Sequence, residues 1–223
     1  MQWAPAWFPL VGCALGGLGS LVFVGLERAG AWVAAVSTIA VLALVTGAFH
    51  EDGLADTADA LGGAFERGKI FLILKDSRIG SFGATALFLA LMLRAAALAK
   101  LGPLVVGGLL LGQTLSRMTP VWLMATLPYA TGAEHARSPH LTERRWLRAV
   151  VATIFAAVVA LLLVVSHRVA LPALGLSVLL SVVGTVICGW RFFARAGGIT
   201  GDFLGATQQV TEVLILVGLA AYG

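Results

Sequence analysis

Charge is scarce in this 223-residue chain: Asp, Glu, Lys and Arg make up 12% of it, against a hydrophobic share of 59% and a mean hydropathy of +0.96. So little charge cannot keep a soluble surface wetted, which excludes an ordinary water-soluble domain. Cysteine is rarer still. The two present, Cys13 and Cys188, have no paired spacing and no histidine nearby at metal-ligand distance, so they read as packing residues and not as a disulfide framework or a thiolate metal site. The chain does not open with a basic segment and a small-residue cleavage site, so its first apolar run is expected to remain as a helix. The net charge of +4 is scattered between apolar runs and forms no stripe, which argues against a nucleic-acid partner.

What is present is Leu, Ala and Val in unbroken runs of roughly 20 residues, the length of a membrane-spanning helix and not of the short alternating strands of a barrel. The runs fall at about 4–26, 31–49, 82–100, 103–129, 148–166, 169–190 and 204–222, with the 169–190 run loosened by Pro172, Gly175, Gly184 and Gly189. The expected fold is therefore all-α: one polytopic membrane domain over residues 1–223, with about seven transmembrane helices and a cytoplasmic acidic loop or helix. Taking seven spans, one side holds Arg67, Lys69, Lys75, Arg78, Arg137, Arg144, Arg145, Arg148, Arg191 and Arg195, and the other Arg28, Arg94, Lys100 and Arg168. Basic residues concentrate in cytoplasmic loops, so the richer side, with the acidic stretch, is assigned to the cytoplasm.

That acidic stretch, "FHEDGLADTADALGG" at 49–63, places Glu51, Asp52, Asp56 and Asp59 within nine positions. In a helix, steps of about 100° put Asp52, Asp56 and Asp59 within an arc of about 60°. Like charges this close repel and need a cation, and an all-oxygen ligand set points to Mg²⁺ or Mn²⁺ rather than zinc. A juxtamembrane helix that merely faces water is the alternative, but such a face normally intersperses Lys and Arg among its acids. In "KDSRIGSFG" at 75–83, Lys75, Arg78, the Ser77 and Ser81 hydroxyls and the glycine backbones form a candidate phosphate site, beside the plainer reading of a positive-inside anchor. In "GGITGDFLGATQQ" at 197–209, the backbone around Gly198, Thr200 and Gly201 is a second candidate, with Asp202 on a metal. Arg117 and Glu212 lie inside spans, where ionisable groups are functional suspects. Clustered carboxylates beside basic and glycine-rich segments at one membrane surface suit metal-assisted phosphoryl transfer.

These three motifs, in this order and spacing, with "FPLVG" at 8–12 and "SR" at 116–117, resemble the cobalamin synthase family of adenosylcobinamide-GDP ribazoletransferases over nearly the whole chain. The resemblance implies a Mg²⁺-requiring membrane enzyme of late vitamin B12 synthesis, with the lipid bilayer, adenosylcobinamide-GDP and α-ribazole or its 5′-phosphate as partners. A hydroxyl on the second substrate displaces GMP from the first. It also implies that Glu51, Asp52, Asp56 and Asp59 are the metal and catalytic carboxylates, with Asp76 and Asp202 as further acidic positions. On that basis Asp52 and Asp56 are expected on the metal, Asp59 as the base, and Lys75, Arg78 and Arg117 on phosphate charge. Two departures from the family are expected to matter: this sequence shows no counterpart of the segment that precedes "FPLVG" there, and "PYAT" at 128–131 has Thr131 where the family tends to have Arg. A weaker likeness links the acidic stretch to CDP-alcohol phosphotransferases, although Asp56 replaces their Arg. A cation-linked transporter is the remaining alternative, but its charged site belongs near mid-membrane. Oligomeric state is not encoded in these motifs.

Overall fold

The protein's structure, a computed structural model, describes residues 3–130 and 139–222, and for side chains 3–130 and 145–222. Thr131, Arg137 and the Arg144 side chain lie outside the described residues. Among the described residues, nine α-helices account for nearly all of the chain: α1 (Phe8–Leu26), α2 (Ala31–Thr46), α3 (Phe49–Gly63), α4 (Arg67–Ile73), α5 (Ser81–Lys100), α6 (Val105–Thr126), α7 (Pro139–Val165), α8 (Leu171–Ala196) and α9 (Gly201–Tyr222). No strand occurs among the described residues. A single parallel bridge joins Tyr129 to Ile199.

The seven apolar runs coincide with α1, α2 and α5–α9, and five of these helices are individually long and apolar enough to cross a bilayer. The 16-residue α2 passes that test only together with α3, to which it is bent by 91°. The chain turns there through two left-handed residues, Gly47 (φ 66°) and Ala48 (φ 53°), of which only the alanine departs from the usual preference of that region. With four carboxylates in 15 residues, α3 is unsuited to lipid and falls outside the spans. The 103–129 run falls short for a different reason. α6 is the hub of the bundle, packed by α1, α7, α8 and α9, and with sixteen of its 22 residues buried it has no need of a lipid-facing apolar surface.

Small residues let the hub pack closely. A methyl group at Gly12 on α1 would overlap the Gln113 carbonyl of α6, and one at Gly16 would come within 2.7 Å of the Leu109 carbonyl. Backbone-to-backbone approach of this kind is how helices associate where lipid removes the hydrophobic drive. Aliphatic side chains from α1, α2, α5, α6, α7 and α9 fill the main core, and a second cluster, including stacked Phe192 and Phe203 with ring centroids 4.4 Å apart, ties α8 to α9 beneath α3.

One expectation about charge needs correction. Counting by apolar runs puts Arg94 with the loops of the cation-poor side, yet it sits within α5 and is 2% exposed. The cation-poor side is left with Arg28, Lys100 and Arg168, so the asymmetry between the two faces becomes steeper.

Candidate active site

α3 forms as the sequence pattern suggests, a helix with Glu51 and Asp52 in its first turn, where acidic side chains complement the partial positive charge of the N-terminus. It crosses the start of α9 at two glycines. A methyl group on Gly53 would stand 2.9 Å from the Asp202 carbonyl oxygen, and one on Gly205 would stand 3.4 Å from the His50 backbone. This crossing brings Asp202 to the acidic helix across about 150 residues of chain.

Asp52, Asp56 and Asp59 share one face of α3, but the helix dips toward the start of α5, so the three are exposed, half-buried and buried in turn. Asp56 feels the charges of Asp52, Asp202 and Asp59. Partial burial and, after it, these like charges raise its carboxyl from the ordinary 3.8 to about 6, the mark of an acidic cluster lacking a counter-charge. Among the described residues no three Asp, Glu, His or Cys side chains converge closely enough to cage a metal by themselves.

Asp59 is placed differently from its neighbours. Its Oδ2 accepts the Gly80 N–H at 2.7 Å and its Oδ1 the Gly83 N–H at 2.8 Å, so it caps α5 from outside, satisfying two of the amides that a helix start leaves without partners. A methyl group at Gly80 or Gly83 would overlap that carboxylate. The glycines of "KDSRIGSFG" thus receive the protein's own anion. Earlier in that segment, Asp76 pairs with Arg78, whose Nε and Nη2 donate at 2.9 and 2.6 Å; side-chain and backbone hydrogen bonds from Arg78 hold the Asp76 carboxyl down to about 2. Asp76 is therefore not brought into the Asp52–Asp56–Asp202 group. Lys75, Ser77 and Arg78 all sit exposed on this loop.

In the third motif, the Thr200 hydroxyl accepts the Phe203 N–H at 3.3 Å and so caps α9, and Gly198 lies against the Pro128 carbonyl, where a side chain would not fit. Gly201 is exposed beside Asp202. Arg117 is 7% exposed in α6 and donates to the Gln113 side-chain oxygen one turn away.

Glu51 belongs to another set. It is 7% exposed, and its Oε1 accepts from Arg94 at 3.0 Å and from Gln209 at 3.1 Å. Arg94 also reaches Glu212 at 2.8 Å, and Glu212 accepts from Gln113 and Gln208, both at 2.7 Å. Removing one partner of such a buried ion pair costs roughly 3–5 kcal/mol. Arg94, Gln113 and Gln209 are not among the candidates the sequence motifs supply. A lone Arg inside "ALFLALMLRAAALAK" is the available signal, since an ionisable side chain within a span needs a partner. Arg195 reads in the sequence only as a loop charge, but its guanidinium donates to the Leu61 carbonyl at 3.2 Å and to that of Ala64, fastening the far end of α3.

A model of the cobalamin-5-phosphate synthase family matches residues 1–220. The chain belongs to this family. Among curated members, the adenosylcobinamide-GDP ribazoletransferase of Albidiferax ferrireducens is 39% identical over 95% of this chain and 82% of its own length. The protein of that name from Shewanella amazonensis is 39% identical over 97% and 84%, and that from Rhizobium johnstonii 40% over 96% and 84%. No solved structure matches the chain. Membership of the cobalamin-5-phosphate synthase family favours neither the CDP-alcohol phosphotransferase nor the transporter alternative.

Proposed function

We propose that this cobalamin synthase family member is an adenosylcobinamide-GDP ribazoletransferase, the activity named for its relatives: a hydroxyl of α-ribazole or α-ribazole 5′-phosphate attacks the phosphorus attached to cobinamide, and GMP leaves. The observation that carries this reading is the meeting of Asp202 with Asp52 and Asp56 where α3 crosses α9. Three mutually repelling carboxylates with only oxygen donors suit a hard divalent cation. Mg²⁺ in particular is usually held by one or two carboxylates with waters and substrate phosphates, not by a full protein cage, so a group without a ready-made three-ligand site fits it.

In this reading Asp52, Asp56 and Asp202 would hold Mg²⁺, with Mn²⁺ as a substitute. Once bound, the cation would offset the charge of the pyrophosphate. The proton of the attacking hydroxyl passes to the Asp56 carboxylate, which partial burial already makes receptive. Asp59, with both oxygens on α5 amides, positions the helix and is not the base. Lys75, Arg78 and Arg117 supply positive charge toward the phosphates, and Gly201 leaves room beside Asp202.

Purified protein is expected to release GMP from adenosylcobinamide-GDP only when Mg²⁺ and α-ribazole or its 5′-phosphate are present, and offering the two acceptors separately identifies the preferred one. Release of GMP independent of any acceptor would sink the transfer reading. We further propose a bacterial inner-membrane location with this site facing the cytoplasm, where the basic residues gather. In a background lacking Cys13 and Cys188, single cysteines at the exposed positions Phe65 and Gly201 should both react with an impermeant maleimide from the cytoplasmic side alone. Labelling from opposite sides would break the site apart.

A further inference from the structure

Polar residues well inside the bundle form one connected system that reaches the inner end of α3 at Glu51. Arg94 Nη1 lies 3.0 Å from Glu51 Oε1 and 3.0 Å from Gln209 Oε1, and Arg94 Nη2 lies 2.8 Å from Glu212 Oε1. One guanidinium thereby joins three helices: α3 through Glu51, α9 through Gln209 and Glu212, and its own α5. The system extends to α6 through Gln113 and Ser116, which bond Glu212 and Gln208. Arg94, Gln113, Gln208, Gln209 and Glu212 are each 2% exposed or less, so the bonds are not shared with solvent and their geometry is fixed by the partners alone. An ion pair confined to such a site is poor ground for claims about stability, but it is well suited to setting register between helices.

At this end Gly53 and Gly205 let α3 approach α9 closely, and side-chain bonds add to what fixes its rotation. The turn that enters α3 is a two-residue left-handed corner, and one of the two is an alanine. The outer end is fastened separately, by Asp59 on the Gly80 and Gly83 amides and by Arg195 on the Leu61 and Ala64 carbonyls. Glu51 immediately precedes Asp52 and lies about 140° around the helix from Asp56. Holding Glu51 therefore fixes both the rotation and the depth at which Asp52 and Asp56 face Asp202.

We propose that Arg94 is a positioning residue for the reaction, a clamp that, through Glu51, Gln209 and Glu212, sets α3 against α9 so that the carboxylates of the two helices share one cation. This rests on the phosphotransfer reading of the acidic mouth, but the position of α3 is measurable without it.

The test uses full-length protein without Cys13 and Cys188, spin-labelled at exposed Phe49 on α3 and exposed Val186 on α8. Wild type should give one narrow distance distribution. Arg94→Gln should broaden or displace it and raise the half-saturating Mg²⁺ concentration for transfer by about tenfold, the usual scale for losing a group that orients metal ligands. Arg94→Lys, which keeps the charge but not the two-nitrogen reach, should broaden the distribution less than Arg94→Gln and leave half-saturation nearer to wild type. If Arg94→Gln lowers the yield of folded protein but leaves both readouts unchanged, Arg94 only holds the bundle together and the proposal is overturned. If Arg94→Gln does not fold, Gln209→Met decides by the distance measurement: it removes one arm of the clamp without changing charge, should broaden the distribution to a lesser degree, and overturns the proposal if the distribution stays narrow. Absence of transfer in wild type would defeat the functional reading alone, because the distances would still judge the clamp.

Discussion

Asp56→Asn is expected to cut turnover by about 10³-fold, the upper range for losing one preorganised charge-stabilising group, while making the metal-free protein harder to unfold. The two effects share a cause. In the folded protein the Asp56 carboxyl is raised from 3.8 to about 6 by partial burial and by Asp52, Asp202 and Asp59. Between about pH 4 and 6 the folded state therefore holds more protons than the unfolded one, so stability falls as pH rises through that window and the deficit is complete above it. Asn carries no charge to repel, so at pH 7.5 without divalent cation the variant should melt at a higher temperature than wild type, and at pH 4 the difference should vanish. Added Mg²⁺ should raise the melting temperature of wild type more than that of the variant, because a ligand stabilises the state that binds it. A variant that melts no higher than wild type at pH 7.5 would mean that the carboxylates are not in mutual strain, and the case for a cation among them would weaken accordingly. A gain in stability on removing function is common where a site is built from groups in conflict.

The outline of this molecule is readable because membrane helices announce themselves by length and composition, and the acidic face by the 3.6-residue period. Arg94 shows where that reading stops. Counting charges between apolar runs assigns every Arg near a run boundary to a loop, and with the boundary at Lys100 only six residues away, nothing local separates a loop Arg from one turned into the bundle. The deciding fact, that Glu51 and Glu212 lie opposite it, is tertiary. α6 illustrates the reverse. Its Gln113, Ser116 and Arg117 dilute its hydropathy because its neighbours, not lipid, surround it, and burial inside a bundle is not a property of the helix's own sequence. The glycines of "GSFG" are legible as a place where backbone amides meet an anion, since glycine permits close approach. Which anion is not, because Asp59 and phosphate make the same demand on those amides.

That ambiguity can be resolved by experiment, and the effect should be large. If Asp59 anchors α3 to α5, Gly83→Ala should reproduce the consequences of Asp59→Asn, since the added methyl group would overlap the Asp59 carboxylate and crowd the Ala55 carbonyl. Both variants lose a charge-assisted hydrogen bond to an otherwise unpartnered helix amide, worth roughly 1.5–3 kcal/mol, and both release the outer end of α3. The expected result for each is a lowered melting temperature in detergent together with loss of most turnover. A base makes a different prediction. Removing it would leave the fold and its melting temperature unchanged while abolishing transfer, and Gly83→Ala, which alters no ionisable group, would retain far more activity than Asp59→Asn. Gly63→Ala serves as the control, because Gly63 is exposed and an added methyl would make only an ordinary contact, 3.4 Å from Ile73. An Asp59→Asn protein that melts like wild type but cannot turn over would return Asp59 to the role of base and strip the α5 amides of their part in holding α3.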